Sequence, residues 1–216
     1  MMASGSSLLA GGFSKHFPLS DEDLHVQALP HAKPRALIVV ANGSEELETL
    51  ALSDILIRGG LHVIIGSVGR TENNVVMGNY GLRIQAEKPI EECSFETYEL
   101  IVLPGGDGAK NVRDSDLVIK MLHWQKEAGR WIAACSSAPA VVLNPHGLLG
   151  ERATCSVAHE PEMTREFVNE EVYVDTRCVT SQGLSSVLKF GLTLVKLLNG
   201  NYAAKKAAAE LLYPWQ

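Results

Sequence analysis

The chain has 216 residues, with 19 Lys+Arg against 25 Asp+Glu and a net charge of −6 at neutral pH. That length carries one substantial core, and the lack of a basic cluster beyond Lys205-Lys206 argues against nucleic acid as a primary partner. No apolar run is long enough to span a bilayer, and Cys93, Cys135, Cys155 and Cys178 lie without C-x-x-C spacing, which favours a reducing compartment over a disulfide framework.

Residues 1–33 read as a flexible leader: a Ser- and Gly-rich stretch from Ala3 to Phe13, then Asp21-Glu22-Asp23 and the Pro30/Pro34 pair. It lacks the basic start and apolar core of a secretory signal, and Lys15 is its only Lys or Arg before Lys33, so the expected location is cytoplasmic. Residues 34–216 read as one domain. Ala36 to Val40 is a continuous apolar run, hence a strand buried on both faces. A helix follows from Ser44, its cap, with Leu47, Leu50, Ala51 and Ile55 spaced for the buried face. Glu45, Glu46 and Glu48 suit the positive end of its dipole; Glu45 and Glu48 share a face, so one of them can point inward while Glu46 meets water. Gly59-Gly60 ends the helix, Leu61 to Ile65 returns as a strand, and 66–81 is loop or hairpin leading to a short strand at Leu82 to Gln85.

Leu100 to Leu103 is the next buried strand, stopped by Pro104-Gly105-Gly106, and Leu117, Val118, Met121 and Leu122 mark a helix. Trp131 to Ala134 is then a strand that breaks at Cys135 into a helix, with Pro139 in the first turn. A thiol at such a break faces unpaired N–H groups and the positive end of the dipole, which lowers its pKa and favours the thiolate. Simple packing of a small buried residue explains the same cysteine equally well. Beyond it, Arg152 to Cys155, Val172 to Val174 and Cys178 to Thr180 read as short strands and Glu160 to Val168 as a short helix. Leu184, Val187, Leu188, Gly191, Val195 and Leu198 form a long stripe closed by Gly200, before a last Ala-rich helix from Ala203 to Leu212.

Strands alternating with helices give an α/β fold around a mostly parallel sheet, whose ligands bind beyond the carboxyl ends of the strands. The informative loops therefore follow Val40, Leu103 and Ala134. Gly105 and Gly106 expose backbone N–H groups suited to an oxyanion, or form a plain turn; no phosphate loop or dinucleotide fingerprint accompanies them. No histidine directly follows Cys135. His159 is the best placed, although a surface position explains it too, and Cys155 with His159 makes half a metal site with no further ligands at matching spacing, so no metal is expected.

The segments Arg35 to Thr49, Val102 to Gly106, Ala133-Ala134-Cys135 and Leu197 to Gly200, in this order and spacing, resemble the ThiJ/PfpI superfamily in its parkinsonism-associated deglycase branch. The resemblance implies a flavodoxin-like three-layer sandwich, a homodimer, and a cysteine at a strand-to-helix elbow that oxidises readily to a sulfinate. It also implies cofactor-free glyoxalase or deglycase chemistry on reactive dicarbonyls such as methylglyoxal, free or as glycated protein, with roles in stress protection and chaperoning. Carried onto this chain, Cys135 takes the nucleophile position, Glu48 the carboxyl beside it, and the Gly105, Gly106 and Ser136 backbone the donor positions. Ser156, after Cys155, stands where the branch has a histidine, and Gln182 where it has an arginine. Ser136-Ser137 replaces the His-Gly of protease-like relatives, which argues against a peptidase. Two functions follow as expectations: carbonyl chemistry through Cys135 and Glu48 with Ser156, His159 or Cys155 as auxiliaries, or a redox sensor switched by Cys135 oxidation.

Overall fold

A computed structural model describes residues 32–215. In chain order the elements are β1 (Arg35–Val40), α1 (Glu46–Arg58), β2 (His62–Ser67), β3 (Val75–Met77), β4 (Arg83–Gln85), β5 (Lys88–Pro89), α2 (Ile90–Cys93) and β6 (Leu100–Leu103). There follow α3 (Gly108–Arg113), α4 (Asp116–Glu127), β7 (Trp131–Cys135), β8 (Arg152–Ala153), β9 (Glu166–Phe167), β10 (Val172–Asp175), β11 (Cys178–Ser181) and α5 (Val187–Glu210). The central sheet runs β10-β11-β7-β6-β1-β2-β5, with every neighbouring pair parallel except β10 and β11. Helices cover both faces, and the fold is the expected flavodoxin-like α/β sandwich. The expected leader falls almost wholly outside the described residues.

Strand alternation sorts the core into two layers. Ala36, Ile38 and Val40 of β1, Leu100 and Val102 of β6, and Ala133 and Cys135 of β7 face α1 and α5. Leu37 and Val39, Ile101 and Leu103, and Ile132 and Ala134 face α3, α4 and the turn after β7. The sheet runs outward from β1 in two directions, to β2 and β5 on one side and to β6, β7 and β11 on the other, so the carboxyl ends of β1 and β6 flank a switch point where ligands bind in such sheets.

The α1/α5 layer depends on two glycines. A Cβ at Gly191 would stand 2.9 Å from Ile55 Cδ1 and Cγ2, and one at Gly59 only 2.3 Å from Val195 Cγ2, so the helices meet where side chains are missing. Gly191→Val is expected to destabilise the protein by about 1–3 kcal/mol through overpacking; urea unfolding checks this, and an unchanged midpoint would mean the helix pair is more loosely packed.

Several expectations need correction. α1 starts at Glu46 and is capped by Glu45, whose carboxylate accepts the Glu48 N–H at 2.7 Å; Ser44 Oγ instead accepts the Ala41 N–H. Its buried residues are Glu46, Glu48, Thr49, Leu52, Ile55 and Leu56, while Leu47 and Leu50 are 55% and 47% exposed. The helix has turned its acids inward because backbone donors await them: Glu46, expected in water, accepts the N–H groups of Tyr80 and Leu82. Glu160 to Val168 is not a helix. A 3-10 turn spans Val157–Glu162, where Pro161 blocks continuation, and β9 follows. The break expected at Gly200 is present: its backbone is non-helical (φ +85, ψ 167), so α5 consists of two helical segments joined at a kink.

Candidate active site

Glu48 lies on the first turn of α1, fully buried, directly under the loop that follows β6. Its Oε2 accepts the Gly105 N–H at 2.7 Å and faces the Cys135 thiol at 3.2 Å. Its Oε1 is buried without a hydrogen-bond partner. Burial pushes the Glu48 carboxyl above the usual carboxylate range and Glu45's charge adds to this; the Gly105 N–H, the Cys135 thiol and the Ser136 hydroxyl pull the other way and do not win. When Glu48 takes up a proton, Oε1 is the oxygen free to carry it, since Oε2 is already engaged by two donors.

The expected partners of Cys135 are thus assembled only in part. Glu48 and the Gly105 amide do come together with the thiol, but that amide is already spent on Glu48 Oε2. Cys135 is the last residue of β7, paired with Ser181 of β11, and is 0% exposed within the α1/α5 layer. Burial pushes its thiol well above the usual thiol range, and the neighbouring Glu48 charge and hydrogen bond push the same way. The expected lowering of its pKa by a helix start is therefore corrected: the helical segment begins further on, at Pro139–Leu143, as five residues of π-helix. Cys93, Cys155 and Cys178 are also buried, with Cys155 pushed up to about 11 and Cys178 to about 12, mainly by burial.

The turn out of the sheet is made by Ser136. Its φ of +58 is a conformation that a residue with a Cβ adopts at a cost of about 1–3 kcal/mol. The Ser136 N–H donates to Ser181 O at 3.0 Å, so it is not the free donor the sequence led us to expect, and its carbonyl accepts the Ser156 N–H at 2.9 Å. Ser136 lines a cleft of about 220 Å³ with Ser137, Asn79, Gly106, Asp107, Lys110, Val141 and His159. Neither Cys135 nor Glu48 lines this cleft itself; both lie buried behind Ser136. Close approach is secured by glycines: a Cβ on Gly105 would stand 2.6 Å from Ser136 Cβ, and one on Gly183 would lie 3.6 Å from both Glu48 Oε1 and Ser136 Oγ.

His159 does reach the cleft, held by a 2.7 Å hydrogen bond between its Nδ1 and Ser156 Oγ. Cys155 is buried behind that turn, its thiol directed at Ser156 O. Among the described residues no cluster of His, Cys, Asp and Glu is arranged to hold a metal ion, and no helix is long and apolar enough to cross a membrane. The sequence did not point to Asn79, Gly183 or the capping role of Glu45. Gly183 carried a signal, since a glycine two residues past the buried strand β11 marks close backbone approach.

Comparison with known proteins places these residues among related ones. The DJ-1/PfpI family model matches residues 34–197. DJ-1 homolog B of Arabidopsis thaliana is 34% identical over 170 residues, covering 77% of this chain but only 38% of that protein. A Caenorhabditis elegans protein named glutathione-independent glyoxalase DJR-1.2 is 29% identical over 173 residues, 78% of this chain and 91% of its own length. The solved structure of oxidized Toxoplasma gondii DJ-1 superposes with a TM-score of 0.80 at 39% identity, covering 84% of this chain and 100% of that one.

Proposed function

Because the chain belongs to the DJ-1/PfpI family, in its DJ-1 branch, we propose that the cleft above Glu48 handles small reactive dicarbonyls without a cofactor, in the manner of a glyoxalase. The observation that carries this reading is the Glu48 carboxyl, fully buried and held protonatable by burial, with one oxygen left without a partner near the cleft wall. Rearranging a 2-oxoaldehyde to a 2-hydroxy acid needs one group that removes a proton from one carbon and returns it to the next. A carboxyl whose pKa is raised toward neutrality does both efficiently. His159 at the mouth, tethered through Ser156, is a second proton carrier able to exchange with water. Dicarbonyl adducts on protein side chains are substrates of the same chemistry, provided the adduct reaches into the cleft.

Purified protein given methylglyoxal without glutathione is expected to form lactate. Folded protein that forms none above the buffer rate would end this reading. An oxidation switch at Cys135 has less support, because a sealed thiol raised by burial is poorly placed to meet peroxide.

The same reading includes a homodimer. Leu47, Leu50 and Ile57 (56% exposed) leave an apolar stripe of α1 in solvent, and a second copy of the chain is the occupant this family resemblance implies. Sedimentation velocity is expected to find a dimer that Leu50→Glu shifts toward monomer. A wild-type chain that sediments as a monomer would remove this part of the proposal.

A further inference from the structure

We infer that the group meeting the substrate at the strand-to-helix turn is the Ser136 hydroxyl, and that Cys135, the thiol expected there, is a core residue behind Glu48. This deepens the carbonyl reading and rests on it. Three independent observations carry it. Strand parity assigns Cys135 to the α1/α5 layer together with Ala133, where it is fully enclosed, and the chain leaves the sheet only at the next residue. Ser136 holds the left-handed conformation at that point; the other described non-glycine residues with positive φ are Asn73, Asn74, Thr176 and Leu212, none of which lies at the carboxyl end of a central parallel strand. Such strained turns aim a side chain outward over the sheet edge, the geometry used by elbow nucleophiles. Finally, Ser136 lines the cleft, and its Oγ and the unpartnered Glu48 Oε1 each lie 3.6 Å from one point, the place a Cβ on Gly183 would take. An unpartnered carboxylate oxygen buried at that spot is costly unless something supplies it with a proton or a donor.

With methylglyoxal the step balances as follows. Ser136 Oγ bonds to the aldehyde carbon while the carbonyl π bond breaks. The hydroxyl proton passes through Glu48 Oε1 to the new oxyanion, giving a hemiacetal. Glu48, again ionised, then takes the proton from the former aldehyde carbon to leave an enediolate; its return to the former ketone carbon, with the hemiacetal hydroxyl proton passing to the former ketone oxygen, oxidises the first carbon and reduces the second, leaving a 2-hydroxy ester on Ser136. Water hydrolyses that ester to the 2-hydroxy acid and restores the hydroxyl.

Two measurements on the full chain test this. In methylglyoxal turnover, Ser136→Ala is expected to lose at least 100-fold in kcat, and Cys135→Ala, which removes only one donor from Glu48 Oε2, to lose less than about tenfold; the reverse ranking overturns the inference. Independently of turnover, iodoacetamide labelling followed by mass spectrometry compares Cys135 of the wild type with the thiol introduced by Ser136→Cys, each in native protein verified by circular dichroism. The introduced thiol is expected to react at least 30-fold faster than Cys135, whose labelling should require urea. Equal rates, or a fast native Cys135, would overturn the assignment. If wild-type protein has no turnover, the carbonyl reading fails while the labelling comparison still decides which residue occupies the turn. If the introduced thiol prevents folding, the wild-type arm alone decides, because a Cys135 that labels without urea contradicts enclosure and one that does not supports it.

Discussion

Glu48→Gln is expected to lower methylglyoxal turnover by about 10²- to 10⁴-fold, the usual contribution of a positioned acid–base group, while the protein stays folded. Glutamine matches the carboxyl in shape and its amide oxygen still accepts the Gly105 N–H, so the loop after β6 keeps its anchor. What it cannot do is accept and return a proton at the position of Oε1. The same variant reads out stability. Burial raises the folded-state pKa of Glu48, so folding favours its protonated form. The stability tied to that group is therefore fully present below the unfolded carboxylate value of about 4.3 and is lost as pH climbs through the higher folded value. A neutral glutamine does not titrate. The stability difference between Glu48→Gln and wild type should thus move in favour of the variant from about pH 4.3 upward and level off above the folded pKa. Urea midpoints taken at pH 4, 6 and 8 check this. A difference that does not change with pH would mean that the folded protein leaves the Glu48 pKa unshifted.

How far the sequence was legible depends on what kind of burial each residue has. The runs Ala36 to Val40 and Leu100 to Leu103 are apolar throughout because helices cover both faces of the sheet, so composition alone reveals them. Lys88–Pro89 escapes such reading, being two residues long at the sheet edge, where proline is tolerated. The face of α1 was misread for a different reason. Apolar periodicity assumes that carboxylates seek water, yet Glu46 and Glu48 are buried to satisfy the N–H groups of Tyr80, Leu82 and Gly105, and Leu47 and Leu50 are displaced outward as a result. The one-residue offset between Cys135 and Ser136 has the most chemical consequence. Period-two alternation carried from Ala133 through Cys135 already directs that thiol to the α1/α5 layer, and the residue that leaves the sheet is the next one. A cysteine draws the eye by its chemistry; the alternation of β7 would have drawn it to Ser136.

Gly106→Ala is expected to cost about 3–5 kcal/mol, combining left-handed strain with overpacking against backbone. The position has φ +83, and an added Cβ would meet Gly43 O at 2.4 Å and Glu45 N at 2.7 Å, neither of which is a side chain free to rotate away. Gly43 and Gly108 face each other across the same seam: a Cβ on Gly108 would stand 2.4 Å from Ser44 N, and one on Gly43 would stand 2.8 Å from Gly108 N. Three missing side chains let the loops after β1 and β6 bond directly, through Glu45 N–H to Gly105 O at 2.9 Å and Gly108 N–H to Gly43 O at 2.8 Å. That seam fixes the start of α1, and with it Glu48, against Gly105. Opening it should therefore lower turnover along with stability. Gly129→Ala supplies the control, since Gly129 also has positive φ (+64) but open space around its Cβ position. Only the backbone strain applies there, about 1 kcal/mol, and turnover should be unchanged. Urea midpoints and methylglyoxal rates of the two variants separate the contributions. Equal losses in both would mean that the seam yields to an added methyl group and does not position Glu48.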